Sequence, residues 1–289
     1  MTAEPSIAYT MSGPARAPVI VLLHSLATSA AVWEPVLARL SNTFQVLAPD
    51  TRGHGESVKA PEASIEDWVE DIERVLVHAE VDRAALVGVS MGGIQALAYA
   101  ARHPHRVTGL VVADSFAALP VEIAQSRIAS LTGHAMSAPM AEVAAQYLAD
   151  TFREPDSPGA QTVARAMTSM DRDSYLAAVR TCFGANIQDK LASVAAPTLV
   201  LWGDRDLKTP RPLSEAIRAG VPGSRLDTLP DAGHLSNIDN PDAFAQAVLG
   251  FLTASGHGPL IAYPAASSRR TTSPQTSVSA GNDSETTHG

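Results

Sequence analysis

A serine between two glycines, a pair of loop aspartates and a loop histidine follow one another along this chain in an order that suits attack on a carbonyl. The serine is Ser90, within Gly88-Val89-Ser90-Met91-Gly92. An apolar run leads up to it and a helical pattern leaves from it, so the turn between them must be sharp. A side chain at either glycine would crowd that turn. The turn lifts the Ser90 hydroxyl above the strand end, and the amino end of the next helix is aimed at the same spot. A serine hydroxyl is a poor nucleophile at neutral pH. It needs a base to take its proton, and the base needs an acid to fix its tautomer and stabilise its charge. Downstream, Trp202-Gly203-Asp204-Arg205-Asp206 supplies two candidate acids, at least one of which must be an ordinary solvated loop carboxylate. Pro230-Asp231-Ala232-Gly233-His234 supplies the candidate base, with Gly233 expected to let the backbone turn tightly and present the ring. Nucleophile, acid, histidine is the chain order expected for a serine placed this way on an α/β sheet. A tetrahedral oxyanion also needs two backbone donors. One is expected from the amide of Met91 and the other from the loop holding Ser25 and Leu26.

These residues need strands that end at one edge of a sheet. Residues 19–24, 44–48, 84–89, 107–113 and 198–202 are short apolar or β-branched runs, of the kind found where a parallel sheet is covered on both faces, and 225–229 is expected to be a last strand. Helical spacing separates them, at 30–40, 64–79, 91–102, 213–219 and 241–252. Ser64 three residues before Asp67 reads as a capping box, and Asn240-Pro241 as a cap followed by proline at the first helical position. The alternation predicts an α/β fold with a mostly parallel sheet flanked by helices. Residues 116–195 break the rhythm with helices at 121–131, 141–152 and 174–183. They are expected to form a cap inserted above the sheet edge where ligands bind in open α/β sheets. The expected organisation is a core of residues 1–115 and 196–254, a helical cap of 116–195, and a Ser/Thr-rich disordered tail of 255–289.

Composition narrows the function classes. The chain has 289 residues, 45% of them apolar and 18% charged, with a formal net charge of −9. An acidic balance argues against general nucleic-acid binding, which needs a basic face. Cys182 is the only cysteine, so no internal disulfide and no cysteine metal site is expected. No stretch reaches the roughly 18 apolar residues of a membrane span. The first nine residues lack a basic cluster followed by an apolar run, so a cytoplasmic location is the expectation. His103 and His105 flank a helix end, where a partly positive ring would suit the dipole. His54, between two glycines, reads as structural, and Met136, Met140, Met167 and Met170 as packing within the cap.

Taken together, these segments resemble the α/β-hydrolase superfamily over roughly residues 5–254. The resemblance is carried by His24-Ser25-Leu26, by Asp50-Thr51-Arg52-Gly53-His54-Gly55, by the Ser90 turn, by the run from Pro197 to Pro210, and by Ala232-Gly233-His234. Within the superfamily the chain is similar to 3-oxoadipate enol-lactone hydrolases, in the His24-Ser25-Leu26-Ala27-Thr28 loop and in Ser90-Met91-Gly92-Gly93. The resemblance implies that the acid stands three residues after Gly203 and four before Pro210, which selects Asp206 over Asp204. It leaves Asp114, past an earlier strand, as a displaced alternative. It also implies a carboxylate on the substrate and hence a cation in the pocket, for which the cap offers Arg127, Arg153, Arg165, Arg172 and Arg180.

The expectation is therefore a hydrolase of a small carboxylic ester or lactone that works without a cofactor or metal. Ser90 is the nucleophile, His234 the base and Asp206 the acid, with the amides of Leu26 and Met91 holding the oxyanion. A carbon–carbon bond hydrolase or a perhydrolase/haloperoxidase would use the same three residues, and a ligand-binding receptor could be built on the same fold. Neither nucleic acid nor membrane is expected as a partner, and the sequence leaves the oligomeric state open.

Overall fold

A computed structural model describes residues 7–257. Seven strands form one sheet in the order β1-β3-β2-β4-β5-β6-β7. They are β1 (Tyr9–Ser12), β2 (Val19–Leu23), β3 (Gln45–Pro49), β4 (Ala84–Val89), β5 (Val107–Ala113), β6 (Thr198–Gly203) and β7 (Arg225–Leu229). All pairings from β3 to β7 are parallel, and β1 adds an antiparallel edge. β1 is not among the expected strands, because its side chains are half-buried or exposed and carry no apolar run.

Burial explains the apolar strands. Every residue of β4, at the centre, is buried. Alternate side chains feed two cores. Ile20, Leu22, Val87 and Leu199 join the helices α1 (Glu34–Ser41) and α10 (Pro241–Leu252) on one face. Val21, Leu86 and Val200 join α2 (Ile65–His78), α3 (Met91–Arg102) and α8 (Arg211–Gly220) on the other. The Ser64 capping box of α2 is present, with Asp67 N–H donating to Ser64 Oγ at 3.1 Å and Ser64 N–H to Asp67 Oδ2 at 2.9 Å. Asn240, just after the short α9 (Ser236–Asp239), caps α10 by accepting Ala243 N–H at its Oδ1.

Between β5 and β6 the chain forms α4 (Val121–Ser137), α5 (Met140–Thr151), α6 (Pro158–Ser169) and α7 (Arg172–Phe183). Of these, α6 is the helix that periodicity did not single out. It buries only Ala160, Val163 and Met167. Met167 and Met170 pack as expected, whereas Met136 points outward and is 64% exposed. His103 also departs from expectation. Burial is the largest influence on its ring and pushes its pKa down, Glu73 opposes this, and Arg102 and Arg106 add to it, which disfavours the positive ring expected at the end of α3.

Packed chain continues past residue 254, the expected core boundary. His257 is buried, its ring bonds Thr108 Oγ1 at 2.6 Å and the Val19 carbonyl at 2.9 Å, and it stacks on Phe44. The remainder of the expected tail, from residue 258, lies outside the described residues.

Candidate active site

Ser90 stands between β4 and α3 with φ +55° and ψ −117°, a backbone conformation that non-glycine residues rarely adopt. Such a conformation costs on the order of 1–3 kcal/mol and persists only where the surroundings enforce it. Here they do so by proximity. A Cβ on Gly88 would lie 2.2 Å from the Gly92 carbonyl oxygen, and one on Gly92 would lie 2.0 Å from that of Leu23. Glycines on both sides are thus required by neighbouring backbone, as the sequence implied.

Two loops bring the other groups to Ser90. His234 Nε2 lies 3.0 Å from Ser90 Oγ, and His234 Nδ1 lies 3.1 Å from Asp206 Oδ2. An ionised carboxylate only accepts, so Nδ1 carries the ring proton and Nε2 is left to accept the Ser90 hydroxyl. All three side chains are buried, with residue exposures of 6% for Ser90, 2% for Asp206 and 7% for His234.

Asp206 is held on every side. Its Oδ1 accepts Lys208 N–H at 2.8 Å and Thr209 N–H at 3.0 Å, while Oδ2 accepts the Thr209 hydroxyl as well as the ring. Burial tends to raise its pKa, but the His234 ring and the Thr209 donors more than offset this and hold the carboxyl below the usual range. Asp204 does something else. It is exposed, and its Oδ1 accepts Ala232 N–H at 3.3 Å, bracing the histidine loop from outside. The spacing of Asp206, Lys208 and Thr209, with an aspartate accepting from amides two and three residues on, is an Asx-type turn.

Gly233 is needed for a different reason from the one expected. It has no positive φ. Its N–H donates to Asp239 Oδ2 at 2.8 Å, and a Cβ there would meet that same oxygen at 2.8 Å.

The loop after β2 is fixed by one carbonyl. Ser25 O accepts from the His24 ring at 2.8 Å, from Thr28 Oγ1 at 2.8 Å and from Thr28 N–H at 3.2 Å. The His24 ring can donate from Nδ1 because its Nε2 already accepts Thr51 N–H at 2.9 Å. Burial, the largest influence, lowers the His24 pKa and keeps the ring neutral. A trans peptide points its N–H away from its C=O, so the Leu26 N–H is turned away from this cluster. It donates to no protein acceptor among the described residues. Met91, the first residue of α3, has an N–H with no acceptor inside its own helix.

A cavity of about 390 Å³ opens over Ser90 and His234. Its floor includes Ser25, Leu26 and Thr209. Its walls come from the inserted helices, with Arg127, Leu131, Tyr147, Met167 and Tyr175, and from Lys208 of the Asp206 loop. Arg127 is the cap arginine of the expected set that lines the cavity. Arg172 donates to the Ala138 carbonyl instead, Arg165 to Thr162, and Arg153 lines a groove beyond the histidine loop. Arg127 Nη2 donates to the Lys208 carbonyl at 2.7 Å and its guanidinium lies over the Phe183 ring. Lys208 Nζ lies over the Tyr147 ring, 4.9 Å from its centroid. Burial, the largest influence on each, lowers both pKa values. Neither side chain is ion-paired to a carboxylate among the described residues. Sequence reasoning did not find Lys208, although its place two residues after Asp206 puts it at the cavity.

The model of the alpha/beta hydrolase family matches residues 20–247. Among curated proteins, the chain is 29% identical over 248 residues to a 3-oxoadipate enol-lactonase of Acinetobacter baylyi, covering 86% of this chain and 93% of that one. Among solved structures it is similar to an enol-lactonase from Burkholderia xenovorans, at 31% identity and a TM-score of 0.78, covering 86% of this chain and 96% of that one. A hydrolase from Pseudomonas aeruginosa is similar at 33% identity and a TM-score of 0.78, covering 85% and 94%. The chain belongs to the alpha/beta hydrolase family and is homologous to enol-lactonases.

Proposed function

We propose that the protein is a cofactor-independent serine hydrolase of a small carboxylic ester or lactone that carries its own anionic group. The observation that supports this most is the hydrogen-bonded series Ser90, His234, Asp206 at the floor of the cavity. Ser90 Oγ attacks the carbonyl carbon as its proton passes to His234 Nε2. Asp206 holds the Nδ1–H and stabilises the imidazolium that forms. The carbonyl oxygen becomes an oxyanion, accepted by the N–H groups of Leu26 and Met91, which are already in place and need little reorganisation. The tetrahedral species collapses by breaking the carbon–oxygen bond, and His234 Nε2–H protonates the departing alkoxide. In a lactone that alkoxide stays tethered to the acyl group. His234 then takes a proton from water, the water oxygen attacks the ester of Ser90, and collapse returns the carboxylic acid and the Ser90 hydroxyl.

The anionic group follows from Arg127 and Lys208. Two half-buried cations that line a cavity and form no ion pair with a carboxylate among the described residues are better stabilised when a ligand supplies the charge. We read residues 116–195 as a cap that positions the substrate. A panel of lactones and short esters, each with and without a carboxylate, tests the proposal against wild type and Ser90→Ala. Hydrolysis that is lost in Ser90→Ala and favours the carboxylate-bearing members supports it. Equal turnover by both proteins rejects it. Product analysis separates ester cleavage from carbon–carbon cleavage.

A further inference from the structure

The corner Ala113-Asp114-Ser115, which ends β5, bonds to all three segments that carry Ser90, Asp206 and His234. Its backbone reaches two of them. Ser90 N–H donates to the Ala113 carbonyl at 2.9 Å, and Asp114 N–H donates to the Leu201 carbonyl of β6 at 3.0 Å. Its side chains reach those two again and add the third. Ser115 Oγ donates to the Ser90 carbonyl at 2.6 Å. Asp114 Oδ1 accepts Gly203 N–H at 2.8 Å, three residues before Asp206. Asp114 Oδ2 contacts the hydroxyl of Ser236, two residues after His234, and accepts its N–H at 3.4 Å. Asp114 itself has φ +50°, a conformation held by this set of bonds.

No step of the proposed reaction uses Asp114. Its side chain is fully buried, and the partners of its oxygens, Gly203 and Ser236, are uncharged. The charged group that acts on it is Asp206, which repels a second negative charge, and the titratable group beyond Ser236 on the third segment is His234. Burial first and Asp206 second hold the Asp114 carboxyl well above the usual range.

We propose that Asp114 is a positioning residue that works as an uncharged carboxylic acid, tying the acid loop and the histidine loop to the strand end that also anchors the Ser90 turn. This rests on the roles given above to Ser90, His234 and Asp206. As an acid, Asp114 donates Oδ2–H to Ser236 Oγ and still accepts Gly203 N–H at Oδ1. Of two carboxyl groups at neighbouring strand ends, only Asp206 then carries charge, where the histidine requires it.

The test compares Asp114→Asn, which is neutral and nearly isosteric, with Asp114→Ala, which removes the tie. Readouts are ester turnover, the rate of Ser90 labelling by a fluorophosphonate, and thermal melting between pH 5 and 9. Asp114→Asn is expected to stay within about threefold of wild type in kcat, whereas Asp114→Ala loses about 30-fold or more in kcat with KM nearly unchanged, because misplaced groups lose rate rather than binding. The acidic limb of the pH–rate profile stays in place in Asp114→Asn. Stability tied to a raised carboxyl pKa is fully present below the unfolded-state value near 4 and is lost as pH rises. Asp114→Asn is therefore expected to melt higher relative to wild type as pH increases. If Asp114→Ala is too unstable to assay, Ser236→Ala removes only the histidine-loop side and is expected to lose about tenfold in kcat.

The proposal is overturned if Asn is as slow as Ala, if the acidic limb in Asn moves a full unit lower, or if Ala or Ser236→Ala keeps wild-type kcat. If wild type neither labels nor hydrolyses any ester, the reading of Ser90 has failed instead. The melting comparison still tests the charge of Asp114 in that case.

Discussion

The edge of the sheet and the inserted helices meet at one cavity, but they are built differently. Along the sheet edge, Ser90, Asp206 and His234 are buried, and backbone bonds fix their loops: Asp206 accepts Lys208 and Thr209 N–H, and Ser90 N–H donates to the Ala113 carbonyl. Across the cavity, α4 has 17 residues and buries only Ala135. Arg127 and Lys208 reach the cavity from partly solvated stems and rest on aromatic rings rather than in salt bridges. Backbone bonds tolerate little movement, whereas a wall of side chains can be exchanged residue by residue. On the proposed function, the sheet edge would set which bond is attacked, and the side chains that wall the cavity would set which molecule presents it.

The largest expected effect breaks the first half of this comparison. Ser90→Ala should lower kcat by about four to six orders of magnitude with an unchanged melting temperature, measured on the best ester from a panel screen. Asp206→Asn should lower kcat by about 10³–10⁴, because the ring loses its tautomer control. Asp204→Asn, on the exposed neighbour, should stay within about twofold in the same assay, since an exposed carboxylate contributes little. If the two aspartates swapped effects, the acid would be reassigned.

On the other side of the cavity, Arg127→Met should cost about 10–100-fold in kcat/KM on a carboxylate-bearing substrate and within about threefold on its methyl ester. Equal loss on both would make Arg127 a packing residue instead of an anion contact. The smallest effect is expected at Met136→Ser, on an exposed face of α4, which should change stability by no more than about 0.5 kcal/mol in denaturant melts.

The sheet edge was also the part most legible in the sequence. β4, α3, β5 and α10 fall at the expected residues because burial leaves unbroken apolar runs or clean helical stripes, and β7 falls at its expected residues although only Leu229 of it is buried. The serine between glycines was readable for a similar reason, since only glycine lets Gly92 approach the Leu23 carbonyl. What escaped was the part that depends on contacts across the chain. β1 is a half-exposed edge whose pairing with β3 leaves no period-2 pattern. α6 buries three small or flexible residues, and its best local signal was Ser157-Pro158, where Ser157 Oγ accepts Ala160 N–H. Choosing Arg127 among five cap arginines required knowing which helix face turns to the cavity, which the weak patterning of α4 does not reveal. The role of Asp114 rests on bonds to Gly203 and Ser236, both far along the chain, and no local spacing encodes them.

The proposed reaction turns on a covalent acyl intermediate on Ser90, with His234 as its base. The most direct measurement is acid quenching of an ester reaction during turnover, followed by peptide mapping by mass spectrometry. One acyl group is expected on the peptide containing Ser90, absent in Ser90→Ala and accumulating only slowly in His234→Ala. Turnover without any acyl adduct on that peptide, or an adduct on another residue, would contradict it.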